Sequence, residues 1–267
     1  MAAMITSAQN PLIKRIRRLA QRKYRLREGA FYVEGLRGVL AALEQGAPVE
    51  LLVYSPDLLQ SEVGRAVVAR EEADGRQCVP VAETLFRSLS ERAQPAGLAA
   101  IVATRLANPA ELILAPTDLV VALSAISDPG NLGTIIRTAD SAGARAVILV
   151  GQTTDPFHPG AVKASMGSLF ALPLLHLPDE DALLAWARRQ GATLLATSAH
   201  AAESVWDVAP AWPLLLLLGS EREGLAEEVL AAADHRVAIP MWGSATSLNL
   251  AVAAGILLFE MRRRQQR

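Results

Sequence analysis

The chain is short of cysteine, of long apolar runs and of the glycine signatures that mark common nucleotide enzymes. Among its 267 residues only Cys78 is a cysteine. One thiol can form neither an intrachain disulfide nor a cysteine zinc cluster. It is expected as a small, half-buried hydrophobe in a reducing, cytoplasmic compartment. The N-terminal MAAMITSAQNPLIKR has no apolar core of a secretory signal. Val237 to Phe259 is uncharged and long enough to span a bilayer, but Pro240, Gly243, Ser244, Thr246, Ser247 and Asn249 crowd its first half. Only Leu250 to Phe259 is continuously apolar, Gly255 aside, and that is too short. A buried helix entered through a polar loop is the better reading, and no membrane partner is expected. No G-x-G-x-x-G fingerprint, no phosphate-binding G-x-x-x-x-G-K-[ST] and no nucleophile elbow G-x-S-x-G occurs, which weighs against dinucleotide enzymes, P-loop enzymes and hydrolases. The four histidines, His158, His176, His200 and His235, are scattered, so no metal site is expected. The net charge is −1, so any contact with nucleic acid must come from a local basic patch.

What is present is apolar residue and local charge. Hydrophobic residues make up 51% of the chain and charged ones 20%, enough for a sizeable core in one large or two modest domains. The first basic segment is dense. Lys14, Arg15, Arg17, Arg18, Arg22, Lys23, Arg25 and Arg27 all precede the first acid, Glu28. Leu12, Ile13, Ile16, Leu19 and Ala20 recur among them at helical spacing, after a plausible helix start at Asn10-Pro11. The cationic remainder of this helix is either a solvated face or a face for phosphates. Like charges without a compensating acid repel one another unless a polyanion is near, which favours phosphate.

A smaller α/β pattern follows. Strands are expected at Ala30–Val33, Val49–Tyr54 and Leu98–Ala103, and helices at Gly35–Glu44 and Leu58–Arg70. Asn108-Pro109 and Ala115-Pro116-Thr117-Asp118 bracket an expected linker, residues 105–118. It divides a first domain, 1–104, from a second, 119–267. The second half alternates more clearly. Apolar runs fall at Leu119–Leu123, Ala146–Val150, Thr193–Ala196, Leu214–Leu218 and Arg236–Ile239. Helical stretches fall at Leu132–Ala142, Asp181–Gln190, Leu225–Ala233 and Ser247–Arg263. Continuous apolar strands alternating with helices predict a parallel sheet covered on both faces.

Such sheets bind ligands beyond the carboxyl ends of their strands. The loops found there are SAISDPGNLGTIIRTADSAGA after Leu123, GSEREGL after Leu218 and PMWGSATSLNLAVAAGILLFE after Ile239. They are rich in Gly, Ser and Asn, as a small-ligand pocket requires. Asn131 through Ala139 with Gly143 resembles the first motif of the SpoU/TrmH family of RNA ribose methyltransferases. Gly219 to Leu225 resembles the second motif. Ile239-Pro240-Met241 with Ser247 to Ala253 resembles the third, and Lys163 to Gly167 is similar to a family segment between the first two. The likeness covers residues 119–263 in order. Residues 1–104 more loosely resemble the family's RNA-binding extension, a ribosomal-protein-like α/β domain.

The resemblance implies an α/β catalytic domain whose C-terminal chain threads a loop to form a deep trefoil knot. It implies S-adenosylmethionine as cofactor, held by Gly219, Met241, Ile239, Ser247 and Leu248. It implies a homodimer, with Arg137 acting across the interface, and a structured RNA substrate, ribosomal RNA of the large subunit before transfer RNA. The contacting cations would be Lys14, Arg15, Arg17, Arg18, Arg22, Lys23 and Arg25. Arg137 carries the catalytic expectation. Family proposals give its counterpart a base role. A guanidinium resists deprotonation, so phosphate positioning and stabilisation of the developing alkoxide suit it better. Asn131 would orient the ribose or cap its helix. Glu221 would fix its loop or a polar group of cofactor or substrate. Asn249 would touch the reacting ribose or, like Ser247, cap the last helix. Gly219 would let the ligand approach the backbone, or is a plain turn glycine. Glu260 and Arg262–Arg264 read as a solvated helix end. Leu250 and Ala251 replace the family's usual Val and Ser, and Trp242 stands where small residues are commoner.

Overall fold

The computed structural model describes residues 3–266. In chain order the elements are α1 (Pro11–Leu19), α2 (Arg22–Glu28), β1 (Ala30–Glu34), α3 (Leu36–Glu44), β2 (Val49–Tyr54), α4 (Glu62–Ala73), β3 (Gln77–Pro80), α5 (Glu83–Arg87) and β4 (Leu98–Ala103). Then come β5 (Leu119–Ser124), α6 (Pro129–Ser141), β6 (Ala146–Val150), α7 (Pro159–Ser165), β7 (Leu174–Leu177), α8 (Glu180–Gln190), β8 (Thr193–Thr197), β9 (Glu203–Ser204), β10 (Leu214–Leu218), α9 (Glu227–Ala232), β11 (His235–Ala238) and α10 (Leu250–Gln265). The chain separates into two units. One runs to Arg105 and takes in Phe157–Phe170, and the other holds Leu106–Pro156 and everything from Ala171 onward.

The first unit is a four-stranded sheet of order β1-β4-β2-β3, mixed in direction. Ile13, Ile16 and Leu19 from α1 pack on Leu51, Val53, Phe86, Ala99 and Ile101. Asn10 caps α1 by accepting from the Leu12 amide at 2.8 Å, and Pro11 opens it. The basic stretch forms two helices, not one. Gln21 stands extended between them, and Arg25 is the reason the break is stable. Its side chain is 2% exposed and donates to the carbonyls of Leu19 and Ala20, both at 2.8 Å. These are the carbonyls the end of α1 leaves without helical partners. Arg25 therefore closes a helix and cannot belong to a phosphate-facing surface. Nor is the segment without acids: Arg15 pairs with Glu28 and with Glu50, each at 2.8 Å. Cys78 is fully buried, with its thiol pushed up to about 11 by burial, so it stays an inert thiol.

The segment 157–170 comes from the middle of the half assigned whole to the second domain, yet it packs in the first unit. Phe31 stacks against Phe170 at 6.1 Å and Phe157 at 4.7 Å between ring centres. A Cβ on Gly167 would lie 2.8 Å from that of Ala41.

The second unit is a seven-stranded sheet of order β7-β6-β5-β10-β8-β11-β9, parallel in every pairing. β5, β6 and β10 are buried along their whole length, as a sheet covered on both faces demands. The expected linker is instead an ordered strap of this unit. Gln190 accepts from the Leu114 amide at 3.0 Å and donates to the Leu112 carbonyl at 2.9 Å, while the Trp186 indole donates to Pro109 at 3.0 Å. The end of α10 is not a solvated tail. Glu260 is 8% exposed and accepts from Arg263 and Arg264 at 2.6 and 2.7 Å. Arg262 donates to the carbonyls of Ala142 and Gly143, which closes the end of α6 and ties α10 to it.

Two buried carboxylates depend on arginines. Hydrogen bonds from Arg76 and Arg70 hold Glu71, and those from Arg263 and Arg264 hold Glu260, below the usual carboxylate range. A depressed carboxyl stabilises the fold fully above its unfolded pKa and ceases to do so as pH falls through its folded value. Thermal melts from pH 7 down to 3 should therefore show a loss of stability that begins near pH 4.5, the ordinary carboxyl value. In Glu71→Gln the acid-dependent part should shrink and the neutral-pH melting temperature should fall. An unchanged pH profile in that variant would count against this role.

Candidate active site

All three glycine- and asparagine-rich loops leave the carboxyl edge of the parallel sheet, after β5, β10 and β11. After β5 the chain turns through Ala125, a non-glycine residue at φ 55°. Left-handed backbone of this kind costs about 1–3 kcal/mol and persists only where surroundings enforce it. The turn ends at Asp128, whose carboxylate accepts from the Asn131 amide at 2.6 Å and caps α6. Asn131 is thus not the cap. Its side chain is free to reach across loops, and it does so in both directions. Its amide donates to Glu221 Oε1 at 3.0 Å, and its carbonyl oxygen accepts from Asn249 Nδ2 at 3.0 Å. Asn249 in turn caps α10, accepting from the amides of Ala251 and Val252 at 2.9 and 3.3 Å. One residue from each loop is thereby joined in a single chain, Glu221–Asn131–Asn249.

Each carboxamide carries two N–H donors. Asn131 and Asn249 have each spent one on a neighbour, leaving one apiece for a ligand. Arg137 stands outside this set. It lies two i,i+3 steps along α6 from Asn131, about 9 Å along the axis, and it is exposed between the buried Ile136 and Ala139. Its guanidinium has no ion pair or side-chain hydrogen bond among the described residues. All five of its donors are unspent.

Gly219 is a turn glycine, one of the two roles expected of it. A Cβ there would meet the backbone carbon of Gly224 at 2.0 Å and its oxygen at 2.2 Å. The chain's own turn fills that space: Ser220 and Gly224 pair by mutual backbone hydrogen bonds of 3.0 and 3.1 Å, with Gly224 at φ 71°. The glycine is required by loop closure, and the loop presents Glu221 to Asn131.

The loop after β11 is open. Ile239 and Leu248 are half-buried, while Met241 and Ser247 are exposed and Trp242 is 86% exposed. No hydrogen bond among the described residues engages the backbone from Met241 to Leu248 or the hydroxyls of Ser244, Thr246 and Ser247. Ser247 therefore caps nothing; α10 begins at Leu250 behind Asn249. Unspent amides and carbonyls beside apolar side chains suit a nucleoside, which has a flat apolar face and a hydrogen-bonding edge. Among the described residues no cluster of histidine, cysteine or carboxylates could hold a metal, and no helix is long and apolar enough to cross a membrane.

Of the cations proposed for RNA, Lys14, Arg17, Arg18, Arg22 and Lys23 are exposed, Arg15 is half-buried in its ion pairs and Arg25 is inside. Lys23 and Arg27 sit 4.9 and 5.0 Å from the Tyr24 ring centre. The Lys163–Gly167 segment packs in the first unit.

Residues 118–259 match the model of the SpoU rRNA methylase family, and residues 10–100 match an MRM3-like substrate binding domain. The chain is 34% identical to a 23S rRNA (uridine(2479)-2′-O)-methyltransferase of Streptomyces viridochromogenes, over 92% of this chain and 87% of that one. It is 32% identical to the 23S rRNA (guanosine(2553)-2′-O)-methyltransferase RlmP of Bacillus subtilis, over 97% and 98% of the two chains. Its fold matches that of an AdoMet-bound rRNA methyltransferase from Sinorhizobium meliloti at a TM-score of 0.89, with 38% identity over 98% of this chain and 97% of that one.

Because the Gly219–Gly224 contact leaves no room for a methyl group, Gly219→Ala must open the 219–225 loop. The expected result is a lower melting temperature and faster proteolysis within that loop. A Gly219→Ala protein that melts and resists protease like the parent would refute the crowding argument.

Proposed function

The chain belongs to the SpoU rRNA methylase family, and from that premise we propose how its own residues carry out the family's chemistry. It is an RNA methyltransferase that uses S-adenosylmethionine and acts on ribose 2′-hydroxyls, with ribosomal RNA as its substrate. Within ribosomal RNA the large-subunit 23S molecule is the target to test first. The observation that carries the reading is the hydrogen-bonded chain Glu221–Asn131–Asn249, because it unites the three loops at the edge where ligands of parallel sheets bind.

Bound S-adenosylmethionine supplies a methyl group on a sulfonium. The residues suited to hold it are Met241, Ile239, Ser247 and Leu248 on the open loop, with the backbone of Gly219 at the end of β10. A methyl group so activated would leave the protein the task of aligning and activating the hydroxyl. The unspent N–H groups of Asn131 and Asn249 orient the ribose, and Glu221 holds Asn131 so that its remaining donor faces the substrate. Arg137 stays protonated. It would bind the RNA phosphate and stabilise charge on the 2′-oxygen as that oxygen bonds to the methyl carbon, the methyl–sulfur bond breaks and the hydroxyl proton passes to solvent.

Two further features belong to this reading. The first is a knot. α10 follows β11, which lies three places from β5 in the sheet, yet α10 packs on α6, which follows β5. The chain returns past β8 and β10 to do so, which supports the trefoil reading. The second is a homodimer. Val252 and Phe259 are each about half exposed on α10, with Ile256 between them. This makes one apolar stripe at helical spacing that a second copy would cover. The base at the modified nucleotide is not carried over from relatives, since the two named above act on a uridine and a guanosine.

The test is transfer of labelled methyl groups to 23S rRNA from a strain lacking the protein. Arg137→Ala should lower the rate by about 10²–10³ while calorimetry shows cofactor affinity within a few-fold of the parent. No transfer by the parent, or equal transfer by Arg137→Ala, would sink the proposal. In the same preparations Phe259→Glu should shift the protein to the mass of a monomer.

A further inference from the structure

Within the first unit, between α1, β1, the start of α3 and α7, lies a cavity of about 260 Å³. Sites for drug-sized ligands span about 300–1,000 Å³, so this one suits a single small planar group and not a whole cofactor. Its floor is apolar, with Ile16, Leu19, Val33 and Val162 contributing. Tyr32 lines it, and the Tyr32 hydroxyl is buried with no hydrogen-bond partner. A buried hydroxyl left unsatisfied costs about 1–3 kcal/mol, a cost that a ligand's polar edge would remove. Burial, with the charge of Glu34 adding, pushes the phenol upward from its ordinary value, so the group keeps its proton to donate.

The rim is cationic. Arg17, Arg37, Arg92 and Lys163 all line the cavity. Arg17 donates to Ser88 at 3.1 Å. Arg37, Arg92 and Lys163 have no ion pair or side-chain hydrogen bond among the described residues. Gly35, at φ 100°, keeps the turn after β1 bare: a Cβ there would come 3.4 Å from the Arg92 guanidinium carbon. Two acids also line the wall, Glu34 and Glu91, and Glu34 already accepts from Ser90 at 2.5 Å. Met166 lines the α7 side at φ 52°, a left-handed non-glycine residue that is 40% exposed. Strained backbone of this kind gathers at binding sites, and a thioether is a soft contact for an aromatic face.

We propose that this cavity takes one unstacked nucleotide of the substrate RNA. The base enters the apolar floor against Met166 with its polar edge on the Tyr32 hydroxyl, and the flanking phosphates lie on Arg37, Arg92 and Lys163. Sequence-specific RNA recognition mostly targets unpaired bases that can be splayed out of the stack and hydrogen-bonded on their edges. The inference rests on the RNA-methyltransferase reading for the identity of the RNA. It gives the basic α1 face and the Lys163–Gly167 segment one shared role.

The test uses the whole protein, in vitro transcribed 23S rRNA and the four nucleoside monophosphates. Tyr32→Phe removes an unsatisfied group and keeps the shape, so its melting temperature should equal or exceed the parent's. Its RNA affinity should nevertheless fall about fivefold, the worth of one hydrogen bond. A structural role for the hydroxyl would move stability the other way. Arg37→Ala combined with Lys163→Ala should weaken RNA binding at least tenfold and reduce the salt dependence by about two phosphate contacts. Cofactor affinity, measured by calorimetry, should hold in both proteins. RNA binding equal to the parent's in both variants would overturn the proposal, and cofactor binding and methyl transfer by the parent would still support the enzyme reading. Monophosphates that bind the cavity while RNA affinity ignores both substitutions would also overturn it, since the ligand would then be a free nucleotide. A parent that binds RNA through this cavity but transfers no methyl group would defeat the enzyme reading alone.

Discussion

The site depends on where one helix takes its cap. Asp128 accepts from the Asn131 amide and so satisfies the start of α6. Were Asn131 to cap the helix, its carboxamide would face its own backbone, and neither Glu221 nor Asn249 would have a partner across the loops. With the cap supplied three residues earlier, the side chain bridges two loops 90 and 118 residues away in sequence. Neutral hydrogen bonds contribute only about 0.5–1.5 kcal/mol each, so this chain does not hold the unit together. Its value is geometric: it fixes where the two remaining amide donors stand before a substrate arrives, which is the preorganisation that positional catalysis needs.

The loops around that chain divide the work. The 219–225 turn is closed on itself so tightly that no side chain fits at Gly219, and it is therefore a rigid mount for Glu221. The loop after β11 is its opposite, exposed from Met241 to Ser247 and without internal hydrogen bonds. Rigid and unsatisfied surfaces meeting at one sheet edge are what a cofactor pocket requires, because the rigid part sets orientation and the unsatisfied part is completed by the ligand. The last helix is kept close by Arg262, which spends a cation on the carbonyl end of α6. A charge placed there also favours the negative end of the helix dipole. The chain's return to α6 thus ends in a specific anchor.

How much of this the sequence carried follows from the range of each interaction. Strands were legible to the residue at Val49–Tyr54, Ala146–Val150 and Leu214–Leu218: the last two are short uninterrupted apolar runs, and in the first only Glu50 stands exposed. β3 and β7 were missed because Gln77–Pro80 and Leu174–Leu177 are four-residue strands, and Pro80 and His176 break their apolar character. The membership of Asn131, Glu221 and Asn249 was legible through motif likeness, but their mutual bonding was not, because no local pattern reports a contact across a hundred residues. Arg25 was misplaced although its partners lie only five and six residues away, because a run of cations does not report the break between α1 and α2. In sequence it is one more cation in a basic run; in space it lies over the end of α1 and is spent on two carbonyls. Glu260 pairs with arginines three and four residues on, which a solvated polar helix end would also show in sequence, whereas the carbonyls taken by Arg262 lie 120 and 119 residues back.

The charge distribution then separates two problems that the near-neutral total conceals. The residues proposed for the ribose, on the second unit's sheet edge, offer amides, one carboxylate and one arginine. None of these distinguishes one base from another, because every ribose carries the same hydroxyl and phosphate. Relatives that modify a uridine and a guanosine are alike in their similarity to this chain, as expected if such residues do not select the base. Selection must then come from surfaces that touch base edges or the folded shape of the RNA. The first unit has the means for both, in its exposed cations for phosphate and in a small apolar cavity with an unsatisfied hydroxyl. Catalysis can stay fixed while that unit changes, so relatives that share one chemistry can serve different nucleotides.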